Sequence, residues 1–322
     1  VIIVQTPLRI SFLGGGTDFE DFYSQHGGAV LSTAINRYAF VMVKERIDDL
    51  IYLHYSKNEI VESVDDVQHD LIREAMRMTG VSKGVEIGTF VDVVEGTGLG
   101  SSSSLTVGLL QALYAYQGII RDAAQLAEQA CHIEIGLLKR PIGKQDQYIA
   151  AYGGMRLITF NVVNVVPQLV ALNSNAVRRL NEHLLLLFTH RTRKASDILT
   201  AQQARIQENT PTLKEMRQLV NDGIATLSTN LDHFGELLHE TWLLKRQLAN
   251  GVTDSEIDLM YSTAREAGAV GGKLCGAGGG GFLLLYCANG KKDDVRAALG
   301  GLTEIPFQFE PDGSKVIFNY RR

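Results

Sequence analysis

The apolar positions of this chain change period several times, and the changes mark out its elements. Short runs rich in β-branched and aromatic residues at 1–4, 9–13, 29–31 and 38–44 predict strands. Residues 84–94 form a further strand-like run, followed by an apolar helical pattern over 105–116. Apolar residues three and four apart predict helices at 69–79 and 123–138. A hairpin is expected over 155–166, turning at Asn161 to Asn164. Near Asn173 to Asn175 the chain turns polar, which places a boundary between a first domain, 1–175, and a second, 176–322. The second opens on an apolar strand at 184–188 and continues with helical patterns at 196–209, 212–229 and 231–250. A strand at 282–287, a helix at 292–299 and a strand at 315–319 close it. Helices mixed in this way with antiparallel-looking strands predict an α+β protein of two packed domains.

Composition adds a few points. The 322 residues suit two domains, and 45% hydrophobic with 21% charged residues is ordinary for a globular protein. Of 32 glycines, many cluster at 14–16, 96–100 and 271–281, as expected where backbone approaches a ligand. A net charge of −5 disfavours nucleic acid as a partner. Cys131, Cys275 and Cys287 show no metal spacing, which suits reduced thiols. No apolar run reaches the roughly 18 residues of a membrane span and no signal-like segment opens the sequence, so a cytoplasmic protein is expected. A homodimer is compatible with this composition.

The glycine–serine stretch Gly96 to Ser104 changes the picture most. It lies between a strand-like run and a helical pattern, where successive backbone N–H groups face an anion at a helix N-terminus. Gly96, Gly98 and Gly100, with Leu99 between them, leave room for phosphate oxygens. Ser101, Ser102, Ser103 and Ser104 supply hydroxyls for phosphate or Mg²⁺, and one of them can cap the helix. A nucleotide triphosphate is the expected ligand. No Lys follows the last glycine, so this is not a Walker loop, and its third glycine comes one residue early for a dinucleotide fingerprint.

Three segments in order, Thr6 to Asp18 (TPLRISFLGGGTD), Gly96 to Ser104, and Lys273 to Gly281 (KLCGAGGGG), resemble the signature motifs of the GHMP small-molecule kinases. The string Gly143 to Tyr148 (GKQDQY) together with Arg9 and Gly14 to Asp18 is most similar to the heptose 7-phosphate kinases of that family, with fucokinase domains as near relatives. The resemblance implies an N-terminal domain like ribosomal protein S5 domain 2, a ferredoxin-like C-terminal domain, and ATP in the cleft between them. It implies transfer from ATP to a sugar hydroxyl, with Ser102 and Glu134 on Mg²⁺, Asp146 as base or orienting group, and Arg9 beside the transferring phosphoryl group.

Asp146 is expected on a turn that aims its carboxylate into the cleft. Gly16, Thr17 and Asp18 suit sugar hydroxyls, since a carboxylate accepts from two neighbours at once, with a cap on a helix over 19–25 as the alternative or additional role of Asp18. The basic stretch Thr189 to Lys194, with Arg191 and Arg193, reads either as a phosphomonoester site or as a solvated turn, with Ser196 as an N-cap. Lys273 and Gly278 of the third motif are expected to line the substrate side, and Lys273 to reach an anionic group. A kinase for an unphosphorylated sugar such as L-fucose and a non-catalytic module on the same fold are the competing readings.

Overall fold

In the computed structural model, which describes residues 1–320 apart from Glu95, Arg193, Ser228 and Asn289, two long strands organise the first half. These are β1 (Ile2–Leu13) and β2 (Gly28–Glu45). The sequence pattern predicts four short strands here, but polar residues such as Gln5 and Arg37 lie inside continuous strands. Register shifts at Pro7/Leu8 and Ser11/Leu13 accommodate the irregularity, and a proline without an N–H sits where the first of them begins.

The first sheet is completed by β3 (Ile51–His54), β4 (Asn58–Val61), β5 (Val85–Val91), β6 (Met155–Phe160) and β7 (Val165–Leu169). The second sheet holds β8 (Leu184–Phe188), β9 (Ala269–Leu274), β10 (Phe282–Cys287) and β11 (Thr303–Glu304). The last strand, β12 (Lys315–Asn319), pairs antiparallel with β1. Strand order in the first sheet is β12-β1-β2-β5-β3-β4, with β6 joining β2 to β7, and in the second β11-β8-β10-β9. Since β12 returns to the first sheet, a division of the chain at 175 leaves one strand of that sheet in the last stretch of sequence.

From Thr6 onward every residue of β1 is buried, which identifies where the two halves meet. Val4, Val41 and Val43 share a core with Leu105, Leu109 and Leu113 of the helix Ser101–Gln117. Leu8, Ile10 and Phe12 share another with Leu184 and Leu284 of the second sheet and Val220 and Phe234 of its helices. A strand covered on both faces reads as a continuous apolar run, and 8–13 is such a run apart from Arg9 and Ser11.

The helix predicted over 123–138 is interrupted. Its α-helical part is Ala123–Cys131, and His132–Leu137 continues as a π-helical turn closed by Leu138 N–H on the Ile133 carbonyl at 2.9 Å. Gly136 makes room for the His132 ring: a Cβ there would stand 2.9 Å from His132 Nδ1. Such a widened turn re-aims the side chains that it carries, and Glu134 is one of them. Among the described residues no helix is long and apolar enough to cross a membrane.

Candidate active site

The loop after β5 reaches the helix Ser101–Gln117 through left-handed backbone at Gly96, Gly98 and Gly100, with φ of 77°, 87° and 76°. Gly100 is the N-cap residue and no serine side chain caps the helix. The hydroxyls therefore remain for other partners. The earliest intrahelical bond here is donated by Ser104 N–H, to the Gly100 carbonyl at 3.0 Å, so the N–H groups of the first turn before it face the cleft. Ser101, Ser102 and Ser103 line a cavity of about 610 Å³ there. Ser104 is turned away: it is buried, and its hydroxyl donates to the Pro7 carbonyl at 2.8 Å. Leu99 is buried, and its carbonyl accepts from Arg9 N–H at 3.0 Å, tying the loop to β1.

Arg9 and Asp146 meet at the wall of this cavity. Arg9 Nε and Nη2 donate to the two carboxylate oxygens of Asp146 at 2.6 and 2.7 Å, and Nη1 donates to the Gly98 carbonyl at 2.6 Å. The guanidinium thus joins β1, the phosphate-type loop and the helix Gln145–Tyr152. Burial works to lower the Arg9 pKa, but the charge and hydrogen bonds of Asp146 outweigh it and the net shift is upward. Asp146 is 22% exposed, so the pair opens on the cavity. It lies in the first turn of that helix, not on the expected turn, where a negative charge suits the helix dipole.

Glu134 is fully buried, at 0% exposure. Ser102 Oγ donates to its Oε1 at 2.9 Å, and Gln147 Nε2 donates to its Oε2 at 2.7 Å. Burial raises its pKa, and hydrogen bonds from Ser103, Gln147 and Ser102 with the charge of Arg140 oppose the shift. Arg140 is a residue that the sequence did not mark. Its Nη1 lies 2.5 Å from Ser102 Oγ and 3.5 Å from Glu134 Oε1, while Nη2 holds both oxygens of Asp70 at 3.1 and 2.9 Å. Lys139, with a left-handed φ of 53°, turns the chain so that this arginine faces the cavity.

Asp18 is buried near the Arg9–Asp146 pair and does not cap the helix Glu20–His26, whose N-cap residue is Phe19. Its carboxylate accepts from Gly16 N–H at 3.0 Å and from Gln145 Nε2 at 3.0 Å. Burial and then the charge of Asp146 raise its pKa, and the bonds from Gln145 and Gly16 oppose this. Gly16, Asp18, Gln145 and Asp146 line a smaller chamber that shares Arg9 and Asp146 with the lining of the large cavity.

Other residues of the sequence reading lie elsewhere. Thr17 is fully buried, and its hydroxyl donates to the Gly14 and Ala29 carbonyls at 2.8 and 2.9 Å. Lys273 lines the small chamber but donates to the carbonyls of Ser11 and Phe12 at 2.8 and 2.9 Å. Gly278 packs on Val252, while Gly276 and Ala277 face the cleft. Arg191 pairs with Asp254 at 2.6 Å and with Glu256, so its guanidinium is engaged by two carboxylates. Arg193 lies outside the described residues. Thr192, Lys194 and Ser196 of the same stretch line the large cavity, and the N-cap of the helix Ala195–Ala204 is Lys194, not Ser196.

This arrangement can hold a polyphosphate on the loop and helix N-terminus, and can place a hydroxyl between Asp18 and Asp146 with Arg9 at the point of transfer. Comparisons with known proteins identify the family. The family model for the GHMP kinases N terminal domain matches residues 59–154, and that for the GHMP kinases C terminal domain matches 224–302. The chain is 28% identical over 315 residues to D-glycero-alpha-D-manno-heptose 7-phosphate kinase of Campylobacter jejuni, covering 92% of this chain and 93% of that one. It is 25% identical over 318 residues to the bifunctional fucokinase/GDP-fucose pyrophosphorylase of Arabidopsis thaliana, covering 90% of this chain and 30% of that protein. The crystal structure of a D-glycero-D-manno-heptose 1-phosphate kinase from Bacteroides thetaiotaomicron superposes with a TM-score of 0.83 at 25% identity, over 100% of both chains. With these motifs, this fold and these relatives, the chain belongs to the GHMP kinases, phosphotransferases that take ATP as donor and an alcohol as acceptor.

Proposed function

We propose that the protein transfers the γ-phosphoryl group of Mg-ATP to the anomeric hydroxyl of D-glycero-D-manno-heptose 7-phosphate, giving the 1,7-bisphosphate. The observation that carries the reading is the two-point Arg9–Asp146 pair opening on a cavity floored by the glycine–serine loop. The heptose kinases among the relatives, which match more than nine-tenths of the chain, point to the sugar.

In this reading the acceptor hydroxyl gives its proton to Asp146, and the attacking oxygen lies in line with the γ-phosphorus. An anomeric hydroxyl is more acidic than a simple alkanol, so a carboxylate suffices as base. Arg9 meets the charge that develops on the transferred group, and the N–H groups and hydroxyls of 100–103 hold the remaining phosphate oxygens. Mg²⁺ fits the pair Ser102 and Glu134. Both are oxygen donors of the kind that Mg²⁺ takes, and they stand side by side on the lining of the cavity. When bound there, the ion would neutralise charge on the β- and γ-phosphates. Asp18, fixed by Gly16 and Gln145, would accept from the sugar hydroxyls.

The position of Asp18 depends on Gly143, where a Cβ would stand 2.1 Å from Asp18 Oδ2. Gly143→Ala is expected to displace that carboxylate and raise the acceptor KM about tenfold, a displacement worth roughly 1–3 kcal/mol. Steady-state kinetics with each substrate varied in turn would check it, and the KM for ATP should hardly change. The function itself is tested by coupled ADP release against heptose 7-phosphate, the same heptose without phosphate, L-fucose, galactose and mannose. The reading expects heptose 7-phosphate to have the highest kcat/KM. A preference for L-fucose would instead select the fucokinase-like alternative.

A further inference from the structure

Below the Arg9–Asp146 pair the small chamber, about 90 Å³, contains a feature that the transfer chemistry does not use. Lys245 and Lys273 both line it, and both are buried, at 7% and 3% exposure. Lys245 Nζ donates to the carbonyls of Leu274 and Gly276, and Lys273 Nζ to those of Ser11 and Phe12. When protonated, each lysine has three N–H donors, so among the described residues one of them is left for a ligand.

What faces them is mostly positive. Burial lowers the pKa of both lysines, Lys245 well below its ordinary value and Lys273 to about 8. The charges of Lys273 and Arg9 add to the shift of Lys245 and that of Arg9 to the shift of Lys273, while the Cys275 sulfur opposes both. An anion bound here would be the counter-charge that favours their protonated forms. Asp18, which also lines the chamber, accepts from Gly16 N–H and Gln145 Nε2. Buried cations are normally paired, because removing a charge from water without a counter-charge is costly. Among the described residues Ser11 Oγ, in the same chamber and on a residue only 6% exposed, has no hydrogen-bond partner. Gln145 Oε1 is likewise unpartnered.

The chamber therefore has two characters. Asp18 and Gln145 Oε1 present acceptors, which suit hydroxyls. Lys245, Lys273 and Ser11 present donors and positive charge, which suit a group made only of acceptors. We propose that Lys245 and Lys273, with Ser11 Oγ, form the seat for a phosphate monoester carried by the acceptor. The proposal rests on the reading that the acceptor is a phosphorylated sugar. It also accounts for Arg191, which the basic stretch suggested for this task and which is held by Asp254 and Glu256 instead.

The test compares kcat/KM for heptose 7-phosphate and for the same heptose without phosphate, in the wild type and in Lys245→Met, Lys273→Met and the corresponding Arg variants. Preference for the phosphorylated acceptor should fall roughly 10–100-fold in each Met variant, as expected for losing one charge-assisted hydrogen bond, and return in part with Arg. If both acceptors are affected equally, the lysines are structural and the seat is overturned while the proposed function stands. A wild type that phosphorylates only unphosphorylated sugars overturns both. Should the Met variants fail to fold, inorganic phosphate on the wild type decides. The seat predicts inhibition competitive with heptose 7-phosphate and weaker against the unphosphorylated heptose. Equal inhibition with either acceptor overturns it.

Discussion

Asp146→Asn is expected to lower kcat by about 10²–10⁴-fold, the range that a positioned general base contributes, while leaving ATP affinity within about threefold of the wild type. Asparagine keeps the shape of the side chain and can still accept one hydrogen bond from Arg9. It cannot take the acceptor proton, and it no longer offers two oxygens to the guanidinium that Arg9 directs at it through Nε and Nη2. Arg9 would keep its bond to the Gly98 carbonyl, so the loop should stay in place and ATP should still bind. Calorimetric titration with ATP beside single-turnover kinetics separates the two effects. A kcat within a few-fold of the wild type would remove Asp146 from the reaction. Loss of ATP binding would mean that the pair holds the loop and does not act on the acceptor.

Gly98→Ala is expected to be the most damaging single change in the loop. Its φ is 87°, and a Cβ would stand 2.5 Å from the Cys275 carbonyl oxygen and 2.8 Å from its carbon. A Cβ on Gly276 would in turn lie 2.5 Å from Gly98 Cα, so the two glycine loops touch backbone to backbone. Neither side can yield as a flexible side chain would. The left-handed conformation costs an alanine about 1–2 kcal/mol, and forcing the loops apart adds about 1–3 kcal/mol. The sum corresponds to a fall in Tm of roughly 3–7 °C for a chain of this size. Because the same backbone presents its N–H groups to phosphate, the KM for ATP should also rise at least about tenfold, or 1.4 kcal/mol. A thermal melt and ATP kinetics on Gly98→Ala check both. A variant as stable as the wild type would mean that the two loops do not pack as described.

Much of the site was legible because its chemistry depends on residue types that stand out in sequence. Glycines at 96, 98 and 100 stood out as room for a ligand, and the structure adds that all three are left-handed; Asp146 was marked by the polar string around it. The local setting was less visible. Asp146 was expected on a turn and starts a helix, since nothing in Gly143 to Gln147 signals where helical backbone begins. Glu134 was read onto a regular helix, and its direction is set by a π turn that depends on Gly136 lying against His132. Arg140 carried no signal at all, because its role arises from Asp70 and Ser102, which are 70 and 38 residues away.

The fold shows the same division. Most strands with β-branched or aromatic residues were found, though the four-residue β3 and β4 were not, and β9, with the sequence AVGGKL, was missed because two glycines hide a strand that is paired along β10. Likewise β12 was read as a strand, but its partner β1 lies at the other end of the chain and no local pattern reports that pairing. Thr17 illustrates the converse error of emphasis. It sits in a signature motif, yet its hydroxyl secures the turn that presents Gly16 and Asp18.

The most direct test of the account is ³¹P NMR of the products formed from ATP and heptose 7-phosphate by the wild type and by Asp146→Asn. The account predicts a new anomeric phosphate resonance beside an unchanged 7-phosphate signal, together with stoichiometric ADP, and almost none of it with the variant. A new phosphate on any other oxygen, or an equal yield from Asp146→Asn, would contradict it.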